Sequence, residues 1–198
     1  EQNGFITKLD QYVWERAASV LREWDNRGYP PIPVSVNVSR ADIYHKDLAD
    51  MLLGIVRRYR LQPSRLHLEI TESAYTENPE QVIETVGYLR ELGFVIEMDD
   101  FGSGYSSLSS LNVMHFDTIK LDKSLIDYIG DRNGEKLLLH ITQLLQSFGM
   151  TITAEGVETS DQVEFLKNLH CDDIQGYYFS KPLPVNEFED FVRKHTGL

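Results

Sequence analysis

From Val34 onward the chain alternates short apolar runs with amphipathic stretches, and a polar or ionisable residue follows every run. Val34-Ser35-Val36-Asn37-Val38 is β-branched and reads as a strand. Asp47–Tyr59 changes to three-four spacing through Leu48, Met51, Leu52, Ile55 and Val56, the pattern of a helix. Leu66–Ile70 alternates as a strand, and Pro79–Leu92 is helical again with Gly93 just past its end. Phe94–Met98, Phe116–Leu121, Met150–Ala154 and Asp173–Tyr177 bring the strands to six. Lys136–Phe148, Ser160–Leu169 and Pro184–Lys194 are the intervening or closing helices, and Phe5–Trp24 is a leading one. Strict alternation predicts a parallel sheet with helices packed outside it. The expected class is α/β, a TIM-like (β/α) barrel that is incomplete here, with about six of the eight strands.

Right-handed parallel connections put all strand exits on one face. Those exits carry Asn37, Glu69, Asp99 with Asp100, Lys120, Glu155 and Gln175. Any single polar exit is explained by solvation. A polar residue at all of them argues for a site on the face where (β/α) barrels build theirs.

The stretch Ile96–Leu108 is the sharpest part of that face. Asp99 and Asp100 are adjacent, and neighbours on a strand point to opposite sides. They meet only where the strand ends, and Gly102 and Gly104 around Ser103 let the chain turn there. Two such carboxylates repel, and a hard divalent cation relieves them; an Asp-rich turn is the plainer alternative. With 19 basic and 31 acidic residues the net charge is −12, which disfavours a nucleic-acid polymer as partner. An anionic substrate would then need metal ions or a local basic cluster.

Asn37, Glu69, Asp99 and Asp100 supply the oxygen ligands that Mg²⁺ or Mn²⁺ prefers, while the six histidines are scattered. His67 reads as a packed or barrel-wall residue. Carboxylates around two metals with a lysine beside them suit phosphodiester hydrolysis. Lys120 is open to two roles: orienting water and stabilising the transition state, or serving as a buried lysine paired with an aspartate. Glu155 is open to three: ligand, general base or helix N-terminal carboxylate. Cys171 is the only cysteine, so no internal disulfide forms, which suits a reducing compartment. No apolar run reaches membrane-spanning length, and Glu1–Gly4 lacks the features of a signal peptide. A cytoplasmic protein or domain is expected.

Taken together, V-S-V-N-V-S (Val34–Ser39), L-E-I-T-E-S (Leu68–Ser73) and D-D-F-G-S-G-Y-S-S-L (Asp99–Leu108) resemble the EAL-domain family, phosphodiesterases that linearise cyclic di-GMP. I-K-L-D (Ile119–Asp122), A-E-G-V-E (Ala154–Glu158) and Q-G-Y-Y-F-S-K-P-L (Gln175–Leu183) extend the resemblance over essentially the whole chain. It implies a single EAL-type domain over 1–198, a two-metal Mg²⁺ or Mn²⁺ site, and conversion of cyclic di-GMP to the linear dinucleotide pGpG. It also implies a homodimer. The resemblance makes Asn37, Glu69, Asp99 and Asp100 the metal ligands, with Asp99 as bridge. Lys120 would hold the attacking water, and Glu155 would be a further ligand or base. Glu72 would anchor the loop Phe101–Ser107 between metal site and dimer face, although a carboxylate near the following helix explains it equally. Gln175, Asp122 and Glu158 would contact the substrate.

The family's Glu-Ala-Leu, whose Glu completes the metal site, has no counterpart. Glu135-Lys136-Leu137 and Glu164-Phe165-Leu166 fall in helices, too late in the chain. The resemblance therefore implies a domain lacking its N-terminal strands, and a chain with little or no activity by itself. The alternative reading is a non-catalytic cyclic di-GMP receptor, and a purely structural interaction module is the third.

Overall fold

A computed structural model describes residues 5–75, 78–103 and 116–196. The chain opens with α1 (Phe5–Asn26) and enters the sheet at β1 (Val34–Asn37), followed by the single-turn helix α2 (Arg40–Ile43) and α3 (Leu48–Arg58). Then come β2 (Leu66–Thr71), α4 (Pro79–Glu91), β3 (Val95–Phe101), β4 (Thr118–Leu121) and another short helix, α5 (Lys123–Ile126). α6 (Arg132–Ser147), β5 (Thr151–Ala154), α7 (Ser160–Asn168), β6 (Asp173–Ile174) and α8 (Val185–Thr196) complete it.

The six strands form one parallel sheet in the order β1-β2-β3-β4-β5-β6. Each unit adds its strand beside the last, on the same side, so the sheet curls in one sense instead of winding both ways. β2 shows the consequence residue by residue. Leu66, Leu68 and Ile70 are fully buried on the helix side, while His67, Glu69 and Thr71 line the concave side. Ile96 and Met98 of β3, Ile119 and Leu121 of β4 and Ile152 of β5 continue the same core. Against it the helices set Trp14, Leu21, Leu52, Val56, Val82, Leu89, Leu138, Leu145 and Leu166. Each such side chain contributes about 1.5–3 kcal/mol by leaving water.

At the other end α1 meets α8. The Trp24 ring stacks on Phe188 at 5.6 Å, and Trp24 Nε1 donates to Glu189, which also pairs with Arg27 at 2.8 Å. Among the described residues β6 does not return to pair with β1. The sheet is thus an open arc, and Ser35 and Asn37 on its concave side are exposed.

Most elements lie where the hydrophobic spacing puts them, and the departures have local causes. The helix expected from Lys136 begins at Arg132, because the Asp131 side chain accepts from the Asn133 and Gly134 amides. Asp173–Tyr177 is a strand only at Asp173–Ile174, since the Gln175 carbonyl turns to accept from the Val157 amide. α2 and α5 have only 4 residues each, too few to show a period. Thr159 caps α7 in a capping box with Gln162. No helix among the described residues is long and apolar enough to cross a membrane.

Candidate active site

Sheet register assembles the site. Asn37 lies beside Glu69, Glu69 beside Glu97, and Thr71 beside Asp99. Parallel neighbours in register share a face, and so do residues two apart on one strand. Asn37, Glu69, Glu97 and Asp99 therefore all belong to the concave face. On the far side Thr118 pairs with Glu97 and Lys120 with Thr153, which brings Lys120 and Glu155 to the same face.

These side chains close on the lysine. Lys120 Nζ lies 2.5 Å from Glu69 Oε1, 2.8 Å from Glu155 Oε1 and 3.2 Å from Asp99 Oδ1. The lysine residue is only 6% exposed, so water screens these charges weakly. Burial alone would lower its pKa; hydrogen bonds to Glu155 and Glu69, with their charges, outweigh that and hold it above the ordinary lysine value. The carboxylates fare differently. Burial raises Glu69 and Glu155 above the usual glutamate range, and the Lys120 contacts return only part of the shift. One ammonium gains from several anions, whereas each anion has only a share of one ammonium. The site as a whole is left short of positive charge.

Asp100 is exposed and acts on the cluster through its charge, in a geometry different from the one expected. The strand does not end between the two aspartates; β3 runs on to Phe101, and its pairing with β4 slips between Met98 and Phe101. Asp100 takes a left-handed backbone with φ of 58°. That bulge suspends the alternation of faces. Asp100 is raised by burial and by the charges of Asp99 and Asp122, and it acts in turn on Glu155. Beyond it Gly102 has φ of 96°, and a Cβ there would come 2.3 Å from Leu125 Cδ1. The rest of the loop expected to contact Glu72 lies at 104–107, outside the described residues. Glu72 itself is buried in the turn after β2.

The remaining expected residues sit around the cluster, not in it. Asp122 caps α5 by accepting from the Ser124 amide at 2.9 Å. Glu158 is half exposed and pairs with Lys123 at 3.3 Å. Gln175 is exposed at the tip of β6, beside a largely apolar cleft of about 550 Å³ lined by Tyr177, Phe179 and Phe191. Glu97 escaped the sequence reading. It is 6% exposed, bonds His67 Nδ1 at 2.7 Å and lies beside Glu69, forming a polar layer beneath the cluster. A charged residue inside an otherwise apolar strand, two positions before Asp99, was the available signal. His67 is a wall residue, as its place in the strand suggested.

The donor chemistry suits a hard divalent cation. Asn37, Glu69, Asp99 and Asp100 offer oxygen ligands, and the buried Asp99 Oδ1 makes the longest of the three Lys120 contacts, at 3.2 Å, without the geometry of a hydrogen bond. Among the described residues no three acidic, histidine or cysteine side chains surround an ion-sized point; the lysine takes the centre.

A singly wound parallel α/β barrel sheet with an acidic, lysine-centred cluster at its strand exits defines the class: a TIM-like (β/α) protein. The EAL domain family model matches residues 1–182. The chain belongs to the EAL domain family. It is 37% identical over 196 residues to the cyclic di-GMP phosphodiesterase NbdA of Pseudomonas aeruginosa, covering 98% of this chain and 25% of that protein. It is 35% identical to the oxygen sensor protein DosP of Escherichia coli, covering 97% of this chain and 24% of DosP. The chain thus spans about a quarter of the length of these curated relatives. Among solved structures, the PaMucR phosphodiesterase in complex with c-di-GMP superposes with a TM-score of 0.88 at 32% identity, over 95% of this chain and 76% of that one. The Klebsiella pneumoniae BlrP1 complex with calcium and cyclic di-GMP gives 0.80 at 26% identity, over 88% of this chain and 44% of that one.

Proposed function

We propose that this site hydrolyses one phosphodiester bond of cyclic di-GMP to give linear pGpG, with Asn37, Glu69, Asp99 and Asp100 as ligands of two Mg²⁺ or Mn²⁺ ions. The observation that carries the reading is the convergence of Glu69, Asp99 and Glu155 on buried Lys120. The excess of negative charge there, three carboxylates sharing one ammonium, supports cation binding. The names of the NbdA and PaMucR relatives support the substrate.

Bound metal ions would neutralise phosphate charge and acidify the attacking water. The protein's own groups do the rest. Lys120 remains an ammonium at neutral pH, so it is a donor and not a base. It holds the water's oxygen on the line of attack, then offsets charge growing on the phosphate oxygens. Glu155, a carboxylate made more basic by burial, accepts the water proton as the P–O3′ bond breaks, and the leaving 3′ oxygen takes a proton from solvent. Asp122, Glu158 and Gln175, around this centre, contact the dinucleotide. Glu72 holds the loop beyond Asp100, and the homodimer that the family resemblance implies belongs to the same proposal.

The test is chromatographic. Cyclic di-GMP is incubated with Mn²⁺ and either this chain or a longer form carrying it, beside Glu69→Gln and Asp99→Asn variants. The longer form should release the linear dinucleotide, the chain alone little, and each variant should lose at least about 100-fold. Calorimetry showing tight nucleotide binding by the longer form without turnover would make the protein a receptor. Neither binding nor turnover in that form would overturn the reading.

A further inference from the structure

Outside the lysine cluster, a second pair of acids meets where α1 crosses the turn after β1. Asp42, on α2, is fully buried, and Asp10, on α1, is partly buried. Their side chains are in hydrogen-bonding contact, yet Asp10 Oδ2 and Asp42 Oδ1 are both buried without a donor. Ser39 serves both acids: its hydroxyl donates to Asp42 Oδ2, and its hydroxyl and amide also act on the Asp10 carboxyl. Arg40, two residues before Asp42 on α2, is itself engaged. Between α1 and α3, Gln11 meets the uncharged Met51 sulfur at 2.8 Å, and Glu15 pairs with Arg58. Two orphaned oxygens, one on each of two touching carboxyls, are both satisfied by a single proton between them.

We propose that Asp10 and Asp42 share one proton, and that this carboxyl pair is a pH-responsive latch fastening α1 to the turn that follows Asn37. The same helix holds the strand exit at a second point, where Trp14 Nε1 donates to the Asn37 carbonyl at 2.9 Å. The pair therefore positions the segment that presents Asn37, one of the ligands named above, and the importance of that positioning rests on the phosphodiesterase reading. The latch itself does not.

Burial, the Asp42 hydrogen bond and the Asp42 charge push Asp10 up to about 6, against weaker opposition from Ser39. A carboxyl raised in the folded state stabilises at low pH, where it is protonated in both states. That contribution disappears as pH rises from its ordinary value of 3.8 through about 6. Acidification closes the latch, and neutral pH loosens it.

The experiment compares melting temperatures of the wild-type chain, Asp10→Asn and Asp42→Asn from pH 4.5 to pH 8, without metal or nucleotide. An amide supplies a permanent donor in place of the shared proton. Each variant should gain on wild type by about 2–4 °C across that range. Carbon-13 titration of the Asp10 carboxyl should also show a midpoint well above that of an exposed aspartate. Variants that run parallel to wild type at every pH, or an Asp10 midpoint near 4, would overturn the latch. Either result leaves the hydrolase reading untouched.

Discussion

Lys120 Nζ sits 2.8 Å from Glu155 Oε1, a carboxylate on the neighbouring strand exit, and this contact makes the site one unit instead of a row of separate exits. Glu155 is anchored by its own amide, which donates to the Leu121 carbonyl at 3.1 Å. The lysine therefore ties β4 to β5, and through Glu69 and Asp99 it reaches β2 and β3.

Replacing it with methionine leaves three carboxylates facing one another. Lys120→Met should lower stability by about 3–5 kcal/mol at neutral pH, the range for removing one partner of a buried ion pair. Urea unfolding measures the loss. Mn²⁺ should recover more stability in this variant than in wild type, because the ion then supplies the missing charge. A variant as stable as wild type without metal would contradict the lysine's central place.

Glu155 gives a prediction of opposite sense. Its carboxyl is raised by burial despite the lysine. A raised acid stabilises below its ordinary value of 4.5 and loses that contribution as pH climbs through the higher folded value. Glu155→Gln does not titrate, so its stability relative to wild type should improve as pH rises from 4 to 7. Turnover by a longer, active form carrying Glu155→Gln should fall further behind wild type over the same range, because the base works only when ionised. Thermal melts at each pH separate the two effects. A wild-type advantage that grows with pH would show that the lysine, not burial, governs the group.

The strand exits were legible because parallel alternation fixes both the face and the end of each strand, and Asn37, Glu69, Asp99, Lys120 and Glu155 follow from that alone. Asp100 was legible as a residue but not as a geometry, since a slip in pairing with β4 depends on a strand farther along the chain. Glu97 shows in the sequence only as a charge inside an apolar strand, and its bond to His67 emerges once the register between β2 and β3 is known. The Asp10–Asp42 contact was hidden for the same reason: neither acid has a local partner that marks it, and only the crossing of α1 over α2 joins them.

Asp100 separates stability from activity. Its left-handed backbone, at φ of 58°, carries a steric penalty that glycine does not feel. Asp100→Gly should leave stability equal or raise it by up to about 1 kcal/mol, while removing a carboxylate from the ligand set. The expected signature is an unchanged or higher melting temperature with weaker Mn²⁺ binding by calorimetry. A lower melting temperature with metal affinity intact would mean that Asp100 is structural.

Glu155 is followed by Gly156, whose φ of 67° and surroundings make a harder demand than left-handedness alone. A Cβ at Gly156 would lie 2.6 Å from Lys123 Cβ and 2.7 Å from Cγ. Gly28 has a similar φ of 73° with nothing within 4 Å of the same virtual atom. Gly28→Ala should therefore show the backbone penalty by itself, about 1–2 kcal/mol. Gly156→Ala should exceed it, because α5 has to move away from the strand exit. That displacement also carries the Glu155 carboxylate off Lys120, so Gly156→Ala should lose catalytic rate in an active longer form while Gly28→Ala keeps it. Equal losses of stability in the two variants would show that α5 yields freely and that the close approach of Lys123 does not position Glu155.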